Sequence, residues 1–179
     1  MQSRLRSLTR IALSAALIAA GAWISVPIGQ VPFTLQVLVV VLIALVLPPY
    51  EAGMAVAVYL LAGAIGAPVF SGGRAGLQVF AGPSGGYLVG FLFGTVAGSW
   101  LRRALAGRTA AFAADAAAAA AAIATVYLFG WAHIAFVLGA GPVAAFASGV
   151  LPFVALDAAK AVGAMAVARV LRSARIVSS

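Results

Sequence analysis

A chain of 179 residues has room for one domain and little more. Hydrophobic residues make up 65% of it and charged residues 8%, with a mean hydropathy of +1.16, whereas an ordinary soluble domain is roughly 45–50% apolar and about 25% charged. Too few polar side chains exist to cover a soluble surface, and the arginines behind the +8 net charge punctuate apolar runs, which excludes a cytosolic enzyme, a disordered tail and a conventional nucleic-acid binder.

The composition is that of an all-α integral membrane protein. A helix needs about 20 apolar residues to cross roughly 30 Å of hydrocarbon, and the apolar runs predict six transmembrane helices, at 9–26, 34–48, 52–69, 84–101, 110–130 and 146–169. They form a single transmembrane domain over 1–179 with no soluble domain. Arg4, Arg6 and Arg10 before the first run imitate a secretory signal, but the chain beyond that run is equally apolar, so the run reads as a span. Ala12, Ala16 and Ala20 repeat every four residues along it, with Ala15 and Ala19 beside them. Such a strip lets another backbone approach closely, inside the bundle or outside it.

The second span is short, bounded by Pro32 and by Pro48-Pro49, and Thr34 and Gln36 stand at its mouth, where they can hydrogen-bond a ligand. Glu51 reads as a solvated loop residue. Between the third and fourth spans, the stretch 70–86 is glycine-dense and carries Phe70, Arg74, Gln78 and Phe80. Glycines let backbone amides approach a ligand and arginine suits a carboxylate; a flexible connector is the plainer reading. No strand precedes it and it lacks the lysine of a phosphate-binding loop.

Gly82, Gly86, Gly90, Gly94 and Gly98 give the fourth span a glycine ridge, expected to serve helix packing within the bundle. The fifth span, with alanines at 116–122, is expected to pack against protein. Asp115 near its start suits the positive end of a helix, and His133 falls in an outer loop. In the sixth span Asp157 and Lys160 stand three apart on one helical face, with Pro152 about a turn upstream. Ionisable groups at membrane depth are costly, by at least about 2.5–3.5 kcal/mol each. They form either a self-neutralising pair or a polar ligand site.

Positive charge stays cytoplasmic. Arg4, Arg6 and Arg10, then Arg102, Arg103 and Arg108, then Arg169, Arg172 and Arg175 share one side if the spans number six, leaving Arg74 outside. Both termini are then cytoplasmic, the outer loops are 27–33, 70–83 and 131–145, and Trp23, Trp100 and Trp131 fall at span ends. With no cysteine and one histidine, no metal site is expected.

Two function classes compete with ligand binding. Gly82-Pro83-Ser84-Gly85 matches the G-x-S-G of rhomboid intramembrane proteases, but a rhomboid carries its histidine base on the sixth span, where this chain has Asp157 and Lys160. A purely structural membrane subunit is the third class.

The combined pattern resembles one family closely. Val31-Pro32-Phe33-Thr34-Leu35-Gln36, the run from Gly63-Ala64-Ile65-Gly66-Ala67-Pro68 to Arg74, Gly82-Pro83-Ser84-Gly85-Gly86-Tyr87-Leu88-Val89-Gly90-Phe91, and Pro152-Phe153 followed by Asp157 and Lys160 look like BioY, the biotin-specific S-component of energy-coupling-factor transporters. Departures are Ser84 where the family commonly has Thr, Ala75 where it has Gly, and Pro49-Tyr50-Glu51 where it has basic residues. The resemblance implies a six-helix S-component fold in the inner (cytoplasmic) membrane, with an outward-facing biotin site. It implies as partners a transmembrane coupling subunit and two ATPases; the chain has no ATP-binding motif, so no cofactor of its own is expected and ATP acts only through those subunits.

The residues suit that ligand. Biotin offers two ureido N–H donors, a carbonyl, an apolar thioether ring and a carboxylate. Asp157 can accept from a ureido N–H while Lys160 donates to the carbonyl, or Lys160 can serve the carboxylate. Arg74 can draw the carboxylate or close the loop over it, and Phe33, Phe70, Phe80 and Tyr87 would supply apolar walls. In S-components, small residues on the first helix dock the coupling subunit, the role the resemblance implies for Ala12, Ala16 and Ala20.

Overall fold

The computed structural model describes residues 2–174. Helix α1 (Gln2–Trp23) runs into a hairpin of β1 (Ser25–Ile28) and β2 (Val31–Thr34), followed by α2 (Gln36–Val46) and α3 (Pro49–Ala64). A 3-10 turn at Ser71–Gly73 and the single turn α4 (Gln78–Ala81) lead to α5 (Gly85–Leu105), α6 (Ala111–Val137), α7 (Pro142–Gly149) and α8 (Leu151–Ser173). Three of these are long and apolar enough to cross a membrane: α1, α6 and α8. Helix α5 is comparable in length but is interrupted by glycines and Ser99 and ends on Arg102 and Arg103, and it is not among these three.

Helix α2 is apolar all round, as a helix surrounded by protein must be. Val37, Val40, Val41, Ile43, Ala44 and Leu45 are buried, and it packs against α1, α5, α6 and α8. Its eleven residues span only about 16 Å. Its N-terminus therefore lies among the loops at one end of the bundle, while its C-terminus stops short of where its longer neighbours end.

The glycine ridge behaves as expected over most of its length. A Cβ at Gly90 would meet Val126 Cα at 2.9 Å, one at Gly94 would meet the Ala122 carbonyl at 2.6 Å, and one at Gly98 would meet the Ala118 carbonyl at 2.9 Å. Bare backbone on α5 thus faces the alanine-rich side of α6, and the contact is the most extensive in the fold. Gly82 is a departure: it precedes α5, and its carbonyl lies 3.0 Å from His133 Nε2.

Several local expectations are corrected. The loop at 27–33 is the turn and flanks of a hairpin with Ile28 opposite Val31. Its prolines, Pro27 and Pro32, face each other one pair beyond the closing pair, where an antiparallel ladder exchanges no hydrogen bonds. Gly29 takes φ +63° in the tight turn. Helix α6 continues past 130 to Val137, so His133 is helical. The last predicted run is broken at Val150 into α7 and α8, with Pro152 in the first turn of α8, where a missing N–H costs nothing. Trp23 ends α1 and donates to the Pro68 carbonyl at 3.1 Å.

Two acids also change roles. Glu51 is buried in the first turn of α3 and pairs with Arg10 at 3.0 Å. Asp115 is buried and bridges Arg102 of α5 and Arg172 of α8, an interhelical clamp in place of a dipole contact. Arg175 lies outside the described residues.

Candidate binding site

A cavity opens where the hairpin, the turn after α3, the N-terminal parts of α5 and α8 and the middle of α6 converge. Its empty volume, with the open solvent at its mouth included, is about 590 Å³, and its lining is mainly apolar with a few convergent polar groups, as small-molecule sites are. Arg102 lies about 25 Å along α5 from Gly85, so the cavity and the arginine-rich end occupy opposite ends of the bundle.

The polar centre is built on α8. Asp157 and Lys160 share one face because they are three residues apart, and both are buried, 3% and 7% exposed. Lys160 Nζ donates to Asp157 Oδ1 at 2.8 Å and to the Thr34 carbonyl at 2.6 Å, and lies 3.5 Å from the centroid of the Phe33 ring. The ammonium is thus engaged with protein on three sides: a carboxylate, a carbonyl and a π face. Tyr127 of α6 donates to Asp157 Oδ2 at 2.7 Å. A carboxylate has about four acceptor positions, so Asp157 keeps capacity for a donor arriving from the cavity.

The hairpin returns the chain so that Thr34 and Gln36 join this centre. Thr34 Oγ1 donates to Gln36 Oε1 at 3.2 Å, and Gln36 Nε2 donates to the Tyr59 hydroxyl at 2.7 Å. Arg74 stands at the mouth, exposed as a residue yet fixed at two points: Nε donates to the Ser71 carbonyl at 3.1 Å and Nη2 to Ser84 Oγ at 3.2 Å. Of its five N–H donors, three remain for an incoming anion. Ser71 is tied in turn to Ser25 of the hairpin, hydroxyl to hydroxyl, at 2.7 Å.

The walls are mainly apolar. Phe33, Phe70 and Tyr87 line the cavity with Leu88, Phe91 and Phe153. The Tyr87 ring fills the space left open by Gly130, and its hydroxyl donates to the Gly149 carbonyl at 2.6 Å, covering an orphan acceptor at the end of α7. Phe80 is the exception among the expected wall residues. It packs edge-on behind Phe70 with centroids 5.6 Å apart and does not line the cavity, because α4 holds it one layer back.

Of the expected ligand residues, the structure brings together Asp157, Lys160, Arg74, Thr34, Gln36, Phe33, Phe70 and Tyr87. Sequence reasoning missed Tyr127, whose only signal was a hydroxyl midway along a smooth apolar helix, and Ser71 and Ser84 as the anchors of Arg74. The protease arrangement does not form: Ser84 Oγ receives Arg74, His133 turns to the Gly82 carbonyl, and among the described residues no base reaches the serine. Ala12, Ala16 and Ala20 lie away from this site, exposed on one face of α1, while Ile11, Ala15 and Ile18 face the core.

The chain is similar to known proteins over its whole length. The BioY family pattern matches residues 1–176. A biotin transporter BioY from Thermotoga maritima is 52% identical over 90 residues, covering 50% of this chain and 53% of that protein, so the matched stretch is about half the length of that relative. A probable biotin transporter BioY from Pyrococcus horikoshii is 36% identical over 167 residues, covering 93% of this chain and 96% of that one. In fold, the chain resembles the crystal structure of the S-component for biotin from an ECF-type ABC transporter, with a TM-score of 0.88, 25% identity and coverage of 96% and 93% of the two chains.

Proposed function

The chain belongs to the BioY family, and from that premise we propose that it is a biotin-binding membrane subunit that mediates biotin uptake. The observation that carries the reading is the buried Asp157–Lys160 pair facing a mainly apolar cavity, with Arg74 anchored at its mouth. Asp157 accepts a ureido N–H from biotin, since both its oxygens are held in place and retain acceptor positions. Lys160 balances its charge and ties α8 to the hairpin, so the ureido group meets a prearranged acceptor. Phe33, Phe70, Phe91 and Tyr87 hold the thioether ring, and the three uncommitted N–H groups of Arg74 pair with the valerate carboxylate.

In this reading residues 1–179 are one domain of six transmembrane helices, provided by α1, α2, α3, α5, α6 and α8, lying in the inner (cytoplasmic) membrane. The arginine-rich end faces the cytoplasm with both termini, and the cavity faces outward. The work of transport comes from a transmembrane coupling subunit and two ATPases; the chain uses no cofactor of its own. The exposed strip of Ala12, Ala16 and Ala20 supports docking of the coupling subunit on α1, because it leaves a flat face unused by the bundle itself.

The test is binding of radiolabelled biotin by the purified chain. Saturable binding, displaced by unlabelled biotin, is the expected result; no saturable component in folded protein would overturn the assignment.

A further inference from the structure

A second recess lies at the opposite end of the bundle, beneath the C-terminal end of α2. Ala44, Leu45 and Leu47 form its apolar side, and Ser99, Arg102, Arg103 and Ala106 of α5 and its end, with Arg172 of α8, form its polar side. It holds about 480 Å³ of empty space, open to the outside. We propose that this recess binds the phosphate of an anionic phospholipid headgroup. Such binding is independent of the biotin reading and requires only that the helices lie in a membrane.

Charge favours an anion here. Three guanidinium groups converge on the recess and one carboxylate, Asp115, meets them, leaving two positive charges in excess. Asp115 pairs with two of the three, Oδ1 accepting from Arg102 Nε and Oδ2 from Arg172 Nη2. Arg103 is exposed and has no acid partner among the ion pairs of the described residues. Arg172 Nη1 is buried and donates to nothing, which is a costly state that a bound acceptor would relieve. Ser99 Oγ covers the Leu47 carbonyl at 2.5 Å, removing an acceptor that would repel an anion.

Shape points the same way. Helix α2 stops after eleven residues, and α5 and α8 continue past it. The recess therefore sits where apolar side chains give way to arginines, the depth at which a headgroup sits above its acyl chains. Guanidinium planes pair bidentately with phosphate oxygens, and basic pockets between transmembrane helices favour anionic headgroups.

The test uses the full chain in nanodiscs of phosphatidylcholine alone or mixed with phosphatidylglycerol, read by native mass spectrometry of retained lipid and by the unfolding midpoint. Phosphatidylglycerol should be retained preferentially and should raise the midpoint. Arg103→Gln, which breaks no bond inside the bundle, should cut that retention about fivefold, while Arg4→Gln, an exposed arginine elsewhere, should leave it unchanged. Inorganic phosphate added to the phosphatidylcholine discs distinguishes the sources: the same rise in midpoint, lost in Arg103→Gln, would support the phosphate site but assign it to a soluble ligand. Equal retention of the two lipids with no response to phosphate, or equal losses in Arg4→Gln and Arg103→Gln, would overturn the proposal. So would unaltered lipid retention in an Arg103→Gln chain that no longer assembles with a coupling subunit, which would make the recess a protein contact.

Discussion

The Tyr127 hydroxyl donates to Asp157 Oδ2 at 2.7 Å, so the carboxylate at the centre of the cavity is held from α6 as well as by Lys160 on its own helix. Two donors from two elements fix the plane of the carboxylate and aim its free acceptor positions. Tyr127→Phe removes one of them without changing the shape of the wall. A hydrogen bond to a charged group contributes about 1.5–3 kcal/mol, but Asp157 keeps Lys160, so the expected loss of biotin affinity is about three- to tenfold. Isothermal titration of wild type against Tyr127→Phe checks this, and an unchanged affinity would show that Lys160 alone orients the carboxylate.

Asp157→Asn preserves the shape but leaves Lys160 without its balancing charge. Biotin affinity should fall by at least about tenfold, equivalent to about 1.4 kcal/mol. Lys160→Ala should do at least as much, because it strands the Asp157 carboxylate and frees the Thr34 carbonyl that the ammonium ties to α8. Full binding by correctly folded Asp157→Asn protein would remove Asp157 from the site.

Arg74 has two jobs in the geometry, bracing Ser71 and Ser84 and presenting its remaining donors at the mouth. Arg74→Ala should therefore weaken binding of both biotin and biotin amide, with the greater loss for biotin, which alone has a carboxylate to pair. Equal losses for the two ligands in parallel titrations would restrict Arg74 to bracing the loop.

Ala16 is exposed on α1, on the face that does not carry the buried Ile11, Ala15 and Ile18. Ala16→Trp should leave biotin binding by the isolated chain unchanged and abolish ATP-dependent uptake when the coupling subunit and ATPases are co-expressed. Normal uptake by that variant would place docking on another face.

What could be read without the structure was what repeats locally. The glycine ridge is a four-residue period, and its packing against α6 arises because only bare backbone permits that approach. Asp157 and Lys160 had to share a face, since in a helix residues three apart return to nearly the same direction. The motif around Thr34 and Gln36, and the segment around Arg74, stood out because polar groups are conspicuous in so apolar a chain, and these three residues line one cavity.

Long-range pairing decided the rest. Lys160 reaches Thr34 across 126 residues, Tyr127 reaches Asp157 across 30, and Arg172 reaches Asp115 across 57. No periodicity encodes such partners: each depends on where two elements lie relative to each other, which the packing of all of them determines. Glu51 looked solvated because its neighbours in sequence are loop-like, yet Arg10, 41 residues earlier, draws it into the bundle. Phe80 resembled a wall residue by its place in an aromatic loop, but the turn at α4 sets it behind Phe70. Sequence by itself determined that this chain is a membrane-embedded helical protein and singled out the polar residues that the fold gathers around one cavity. Tertiary structure alone decided which of them touch, because in a chain this apolar the specificity lies in a few buried polar contacts between distant segments, and each forms only when the helices have packed.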